Sequence, residues 1–193
     1  MPPALRFPCR APRCAALLLL AACGSRREVV EPRNVVTPLR RLALAEVWEL
    51  EAGGTPPADT VVVFAPGAPR LVVLRHGVPD QAAFAVLEFP ADAFAGADSV
   101  RVSVSPRPGV YGLDLAASQP IRAGRITFKY AHHFTAPVAA RTRYQTDVGF
   151  EKVLAVGRLA GDSIVLLPTS RPASDNVAAA LDGPGSYVVA GAR

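Results

Sequence analysis

Ser99-Val100-Arg101-Val102-Ser103-Val104-Ser105 and Arg125-Ile126-Thr127-Phe128-Lys129-Tyr130-Ala131 decide the fold of this chain. Successive side chains of a strand point to opposite faces. The first stretch therefore sends Val100, Val102 and Val104 inward and Arg101 and Ser103 outward. The second puts Ile126, Phe128 and Tyr130 on one face and Thr127 and Lys129 on the other. Strands with one dry and one wet face belong to antiparallel sheets.

Seven further runs have the same character: Thr60–Ala65, Arg70–His76, Ala82–Phe89, Val110–Ala116, Lys152–Leu159, Ser163–Pro168 and Tyr187–Ala190. They are short, rich in Val, Ile, Leu and aromatics, and separated by Pro, Gly, Asp and Ser. Ala160-Gly161-Asp162 reads as the turn of a hairpin, and Gly183-Pro184-Gly185 as the turn before the last strand. No long amphipathic helix follows residue 55, which argues against a βαβ architecture. The expected fold is all-β, a two-sheet antiparallel sandwich of the Ig-like kind. The stretch 38–51 fits both periods. Alternation aligns Leu42, Leu44, Trp48 and Leu50, whereas helical spacing gathers Leu39, Leu42, Ala43, Val47 and Leu50.

Before the domain lies a segment of another kind. Arg6, Arg10 and Arg13 precede an apolar run, Ala15 to Ala22, which ends in Leu20-Ala21-Ala22-Cys23. That run is too short for a bilayer span of roughly 20 residues and fits a signal-peptide core. The pattern resembles the lipobox of bacterial lipoproteins. The resemblance implies cleavage between Ala22 and Cys23 and a diacylglyceryl group with further acyl chains on Cys23. It also implies a cell-envelope location held by the lipid, the outer membrane being favoured by Gly24 if the host is diderm. The expected organisation is a signal peptide over 1–22, a lipid-anchored tether over 23–37 and one β-sandwich domain over 38–193.

The chain carries 21 basic and 16 acidic residues, a net charge of +5. The leader holds three arginines and no acid, so 18 basic residues face 16 acidic ones after cleavage, or +2. Without a basic patch, nucleic acid is not an expected partner. The cysteines are Cys9, Cys14 and Cys23. Only Cys23 survives cleavage, and lipid takes it, so neither an internal disulfide nor a thiolate metal site is expected.

Leu87-Glu88-Phe89-Pro90-Ala91-Asp92-Ala93-Phe94, followed by Ser99–Val104, resembles the turn-then-strand pattern of ZU5-type sandwiches. Pro120-Ile121 with Arg125–Tyr130, and the runs Ser163–Pro168 and Gly185–Ala190, fit the same pattern. The likeness spans about residues 60–190 and departs from it over 131–151. It implies an interaction or spacer module and transfers no catalytic residue.

The chain contains no G-x-S-x-G, P-loop, G-x-G-x-x-G or H-E-x-x-H motif. Adjacent His132 and His133 point to opposite faces of a strand, so they do not share a metal ion; Asp92 and Asp98 read as turn residues. No catalytic residue, metal ligand or cofactor is expected beyond the covalent lipid. The irregular stretch 132–150 holds the candidate binding surface: His132, His133, Phe134, Arg141, Arg143 and Tyr144. Arg and Tyr are favoured at contact hot spots, and long loops often carry function. The competing reading makes this stretch a crossover between sheets whose aromatics finish the core.

The expected function is a noncatalytic binding or spacer module, monomeric, joined to the membrane by lipid and meeting other envelope proteins. A small-ligand or glycan carrier is one alternative, favoured by exposure of Tyr111, Tyr130 or Tyr144 and disfavoured by their burial. A hydrolase built around His132 or His133 with Asp147 is the other.

Overall fold

The computed structural model describes residues 39–96, 98–130 and 134–193. The leader with Ala22, the whole tether with Cys23, and His132 and His133 lie outside the described residues.

The strands are β1 (Arg40–Ala43), β2 (Val47–Glu49), β3 (Thr60–Phe64), β4 (Arg70–Arg75), β5 (Ala83–Phe89), β6 (Val100–Pro106), β7 (Gly112–Ala117), β8 (Arg125–Lys129), β9 (Ala155–Ala160), β10 (Ser163–Leu166), β11 (Thr169–Ser170), β12 (Asn176–Ala180) and β13 (Gly185–Ala192). A 3-10 turn, Leu44–Glu46, separates β1 from β2. Two short helices, α1 (Val138–Tyr144) and α2 (Asp147–Glu151), lie between β8 and β9. The strands form two antiparallel sheets. The larger has the order β1-β10-β9-β13-β7-β6-β3, with β2 also on β13, and the smaller has the order β11-β12-β8-β5-β4. This is the all-β two-sheet sandwich that the alternation predicts.

Val100, Val102 and Val104 are fully buried, as are Ile126 and Phe128. They join Leu87, Phe89, Leu113, Tyr187 and Val189 in one core between the sheets. A register shift in the β4–β5 pair leaves Phe84 as an extra residue, since Leu74 faces Ala85 and Arg75 faces Ala83. Such a bulge lets two successive residues face the same way, and both Phe84 and Ala85 are buried. The β9–β10 hairpin turns through Gly161 at φ 61°, the first central position, where positive φ favours glycine.

The larger sheet has a second core on its outer side: Leu42, Val47, Ala155, Ile164, Leu166, Val188 and Ala190. It exists because the sheet folds over itself. β1 lies on β10 and β2 on β13, yet only three residues join them, so the run β1-β10-β9-β13-β2 must curl. Glu46 holds the corner, its carboxylate accepting from the Ala43 amide at 3.1 Å. The opening lies at Val189, where three backbones close a ring. Leu50 N–H donates to Val189 O, Val189 N–H to Tyr111 O, and Tyr111 N–H to Leu50 O, each at 2.8 Å. Beyond that ring β2 replaces β7 as the neighbour of β13. Opposite Val188, Gly157 leaves room for Ile164, since a Cβ there would lie 2.3 Å from the Ile164 Cδ1 atom and force that side chain to shift.

Four expectations need amendment. The stretch 38–51 is neither one strand nor a helix but two strands around a turn, so neither period runs through it. The strand expected from Lys152 starts at Ala155, because α2 and its exit turn occupy the preceding residues. The strand expected from Val110 starts at Gly112, since Val110 makes only an isolated bridge to Glu51. β11 and β12 were not foreseen.

Candidate functional site

The outer face of the smaller sheet is a trough, and its shape follows from register. Val73 faces Val86, Val86 faces Thr127, Thr127 faces Ala178 and Ala178 faces Ser170. This line of small side chains crosses the sheet; Val73, Val86 and Thr127 form a low floor, while Ala178, 1 % exposed, is covered. One rim is the next outward row, Leu71, Glu88, Arg125 and Ala180. The opposite rim carries Arg75, Ala83, Lys129 and Asn176. Between them lies a hollow of about 460 Å³, closed at one corner by Pro172. It adjoins a second hollow of about 550 Å³ beside Pro69, Pro90 and Gly124, sharing Leu71, Glu88 and Arg125 with it. A third, of about 230 Å³, continues from Arg125 to Ser170 and Ala180.

The chemistry of the face is aliphatic and cationic. Leu71 and Val73 are 63 % and 38 % exposed. Arg70, Arg75, Arg125 and Lys129 border the hollows against one carboxylate, Glu88. Arg75 gives one hydrogen bond to the Gln81 carbonyl at 3.2 Å, and Arg70 lies over the Phe64 ring at 5.6 Å. None of the four cations is within ion-pair distance of a carboxylate among the described residues. Arginines elsewhere are matched: Arg107 with Asp114 at 3.1 Å, Arg141 with Asp147 at 3.7 Å and Arg158 with Asp182 at 3.1 Å.

Of the residues expected to form a binding surface, Arg141, Arg143 and Tyr144 share α1, and Phe134 precedes it. The segment from Phe134 onward leads from β8 in the smaller sheet to β9 in the larger, and so crosses between the sheets. Phe134 packs on Tyr130 with ring centroids 5.6 Å apart. Tyr144 packs against Trp48 and Phe150, and its hydroxyl donates to the Ala192 carbonyl at 2.8 Å. Arg141 and Arg143 are exposed, with Arg143 over the Tyr144 ring at 5.9 Å. Asp147, the carboxylate of the hydrolase alternative, stands on α2 facing Arg141. Thr146 caps α2 by accepting the Gly149 amide at 2.9 Å.

Polar groups of the core have packing duties. Tyr130 donates to Glu151 at 2.9 Å and accepts from Arg171 at 2.9 Å. Arg171 also donates to the carbonyls of Glu151 and Leu154, which fastens α2 to the β11–β12 loop. His76 lies edge-on to Phe84 and Tyr111. Its Nδ1 is 3.1 Å from the Thr55 carbonyl, which only accepts, so Nδ1 carries the proton. Burial, and to a lesser degree the Asp80 carboxylate, push the Tyr111 hydroxyl up to about 12. Burial does the same for Tyr187, with Arg158 opposing it, and raises Tyr130 as well. Tyr111 and Tyr130 are 0 % and 1 % exposed and Tyr144 is half-buried. An exposed tyrosine platform for sugar rings is therefore missing from these positions.

No group of three or more His, Cys, Asp or Glu side chains gathers among the described residues, and none of their helices is long and apolar enough to cross a membrane. No family, curated protein or solved structure matches the chain.

Sequence reasoning passed over the trough because its floor comes from four distant strands. Val73, Val86, Thr127 and Ala178 are ordinary outward residues until the register aligns them. The one available signal was the weak polarity of the outward positions in Arg70–Arg75 and Ala83–Phe89, where alternation puts Leu71, Val73 and Val86 on the wet side.

Proposed function

We propose that the chain is a membrane-anchored envelope lipoprotein whose noncatalytic sandwich binds another envelope component through the trough of its smaller sheet. The observation that carries this reading is the trough itself: exposed aliphatic side chains beside cations that hold no carboxylate among the described residues. Exposed apolar surface rimmed by polar groups marks interaction sites. The Leu20–Cys23 pattern supports the anchor. A tether of some fifteen residues, at up to about 3.5 Å per residue, keeps such a face within reach of neighbours at the same membrane.

Photo-crosslinking in cells tests both halves. A photoreactive residue at Val73, in the trough, is expected to capture a partner. The same residue at Val63, exposed on the outer side of the other sheet, is not. Cys23→Ala is expected to release the protein from the membrane fraction and to abolish the Val73 adduct. Equal adducts from both positions, or an unmodified chain in the cytosol with its leader intact, would overturn the reading. Turnover of ester, peptide or glycoside substrates by the purified protein would overturn its noncatalytic part.

A further inference from the structure

We infer that the trough accepts an extended acidic polypeptide segment with small aliphatic side chains between its carboxylates. This rests on the reading of the trough as the binding face and names the chemistry of its partner. The floor of the hollow, from Val73 through Val86 and Thr127 to the edge at Asn176 on β12, crosses four strands. Strands lie about 4.8 Å apart, so the floor is roughly 15 Å long and matches four or five extended residues. Each rim is two residues along the strands from the floor, about 6.6 Å away. An extended segment sends successive side chains to opposite sides. When small apolar residues alternate with the carboxylates, the carboxylates share one side and the apolar groups the other. Edge-on in the trough, the segment then turns its carboxylates to one rim, Arg125 or, in the opposite orientation, Arg75 and Lys129, and its apolar groups towards the other.

The charge balance supports this occupant over others. Four cations border the hollows against Glu88 alone, and none of them pairs with a carboxylate among the described residues, which leaves that role to a ligand. Arginine in a planar fork matches carboxylates in paired hydrogen bonds. Sugars and nucleobases are held largely by stacking on aromatic faces, and no exposed aromatic ring lines the hollows. Phe89 borders one of them but is 1 % exposed. A bilayer surface is flat, so it would meet the rims and leave the floor uncovered.

The test uses the full chain in nonionic detergent and a fluorescein-labelled peptide of about ten residues alternating Glu and Val, read by anisotropy. Saturable binding is expected, weakened by salt. The same peptide with Lys for Glu is not expected to bind. Arg125→Glu with Lys129→Glu is expected to weaken binding at least about tenfold. Arg101→Glu, on the outer side of the larger sheet, is expected to leave it within about twofold. Equal binding of the Lys peptide, or indifference to the double substitution, overturns the inference. So does binding of soluble dihexanoyl phosphatidylglycerol in place of the peptide, which assigns the cations to lipid. If Val73 still crosslinks in cells while the acidic peptide fails to bind, the binding face stands and its partner's chemistry falls.

Discussion

The larger sheet buries Ile164, Val188 and Ala190 on its outer side, whereas the smaller sheet leaves Leu71 and Val73 63 % and 38 % exposed on its own. Both outer faces carry aliphatic residues at outward positions, so composition does not separate them. Chain return does. A three-residue corner brings β2 back across the larger sheet and seals a second core. No strand among the described residues returns across β4 and β5 of the smaller sheet, and Leu71 and Val73 there stay in contact with water, whereas Thr127 and Ala178 are buried. The closure covers the β10-β9-β13 part of the larger sheet and stops short of β3, whose Val61 and Val63 stay 54 % and 57 % exposed on the same outer side.

The sealed face offers the largest expected effect. Ile164 is fully buried among Leu42, Leu166 and Val188, so Ile164→Ala should cost about 2–4 kcal/mol, from lost burial and the cavity left behind. Val73→Ala on the open face should cost about 0.5 kcal/mol or less. Urea midpoints of the two variants, at unchanged slope, make the comparison. Equal losses would mean that both faces are sealed and would break the contrast.

Alternation made the shared core legible. It selected Val100, Val102, Val104, Ile126 and Phe128 because each lies on a strand with a wet side, where period 2 is sharp. It failed at β12, whose Asn176-Val177-Ala178-Ala179-Ala180 is mostly alanine, a residue depleted in strands. It failed at 38–51 because the 3-10 turn interrupts both periods after four residues. The helices went unseen because each is under two turns and buries one side chain, Ala140 or Phe150. Thr146 followed by Asp147 was a start signal for α2, but no apolar stripe followed it. Of the expected binding residues described, Phe134 and Tyr144 pack against the core, and Arg141 and Arg143 are exposed. The trough was hidden for a different reason. Its floor is a property of inter-strand register, which one-dimensional patterning does not contain.

Alkaline unfolding sharpens the account of the core that both sheets share. Tyr111 and Tyr187 are fully buried and their hydroxyls are held up to about 12, mainly by burial. An unfolded tyrosine ionises near 10. Between these values the unfolded state has lost protons that the folded state keeps, so stability falls as pH rises. Each tyrosine contributes a slope of about 1.4 kcal/mol per pH unit, and below pH 10 the contribution is flat. Tyr187→Phe should make the decline between pH 10 and 12 shallower by about one such slope. Urea titrations at several pH values measure it. Substitutions on the open face should leave the slope unchanged, since no tyrosine borders the hollows.

Charge reversal on the open face should have the smallest effect on folding, and its pattern is itself informative. Lys129 faces Asn176 and pairs with no carboxylate among the described residues, so Lys129→Glu should shift stability by no more than about 0.5 kcal/mol. Arg125 faces Glu88 directly across the β5–β8 pair. Arg125→Glu sets two carboxylates opposite each other and should cost up to about 1 kcal/mol. Salt should erase that excess, because the pair is exposed and screened. A salt-independent loss from Arg125→Glu would mean that the arginine supports the sheet through its hydrocarbon stem. Its place on the rim would then be a packing role, and the tenfold loss of peptide binding could no longer be read as electrostatic.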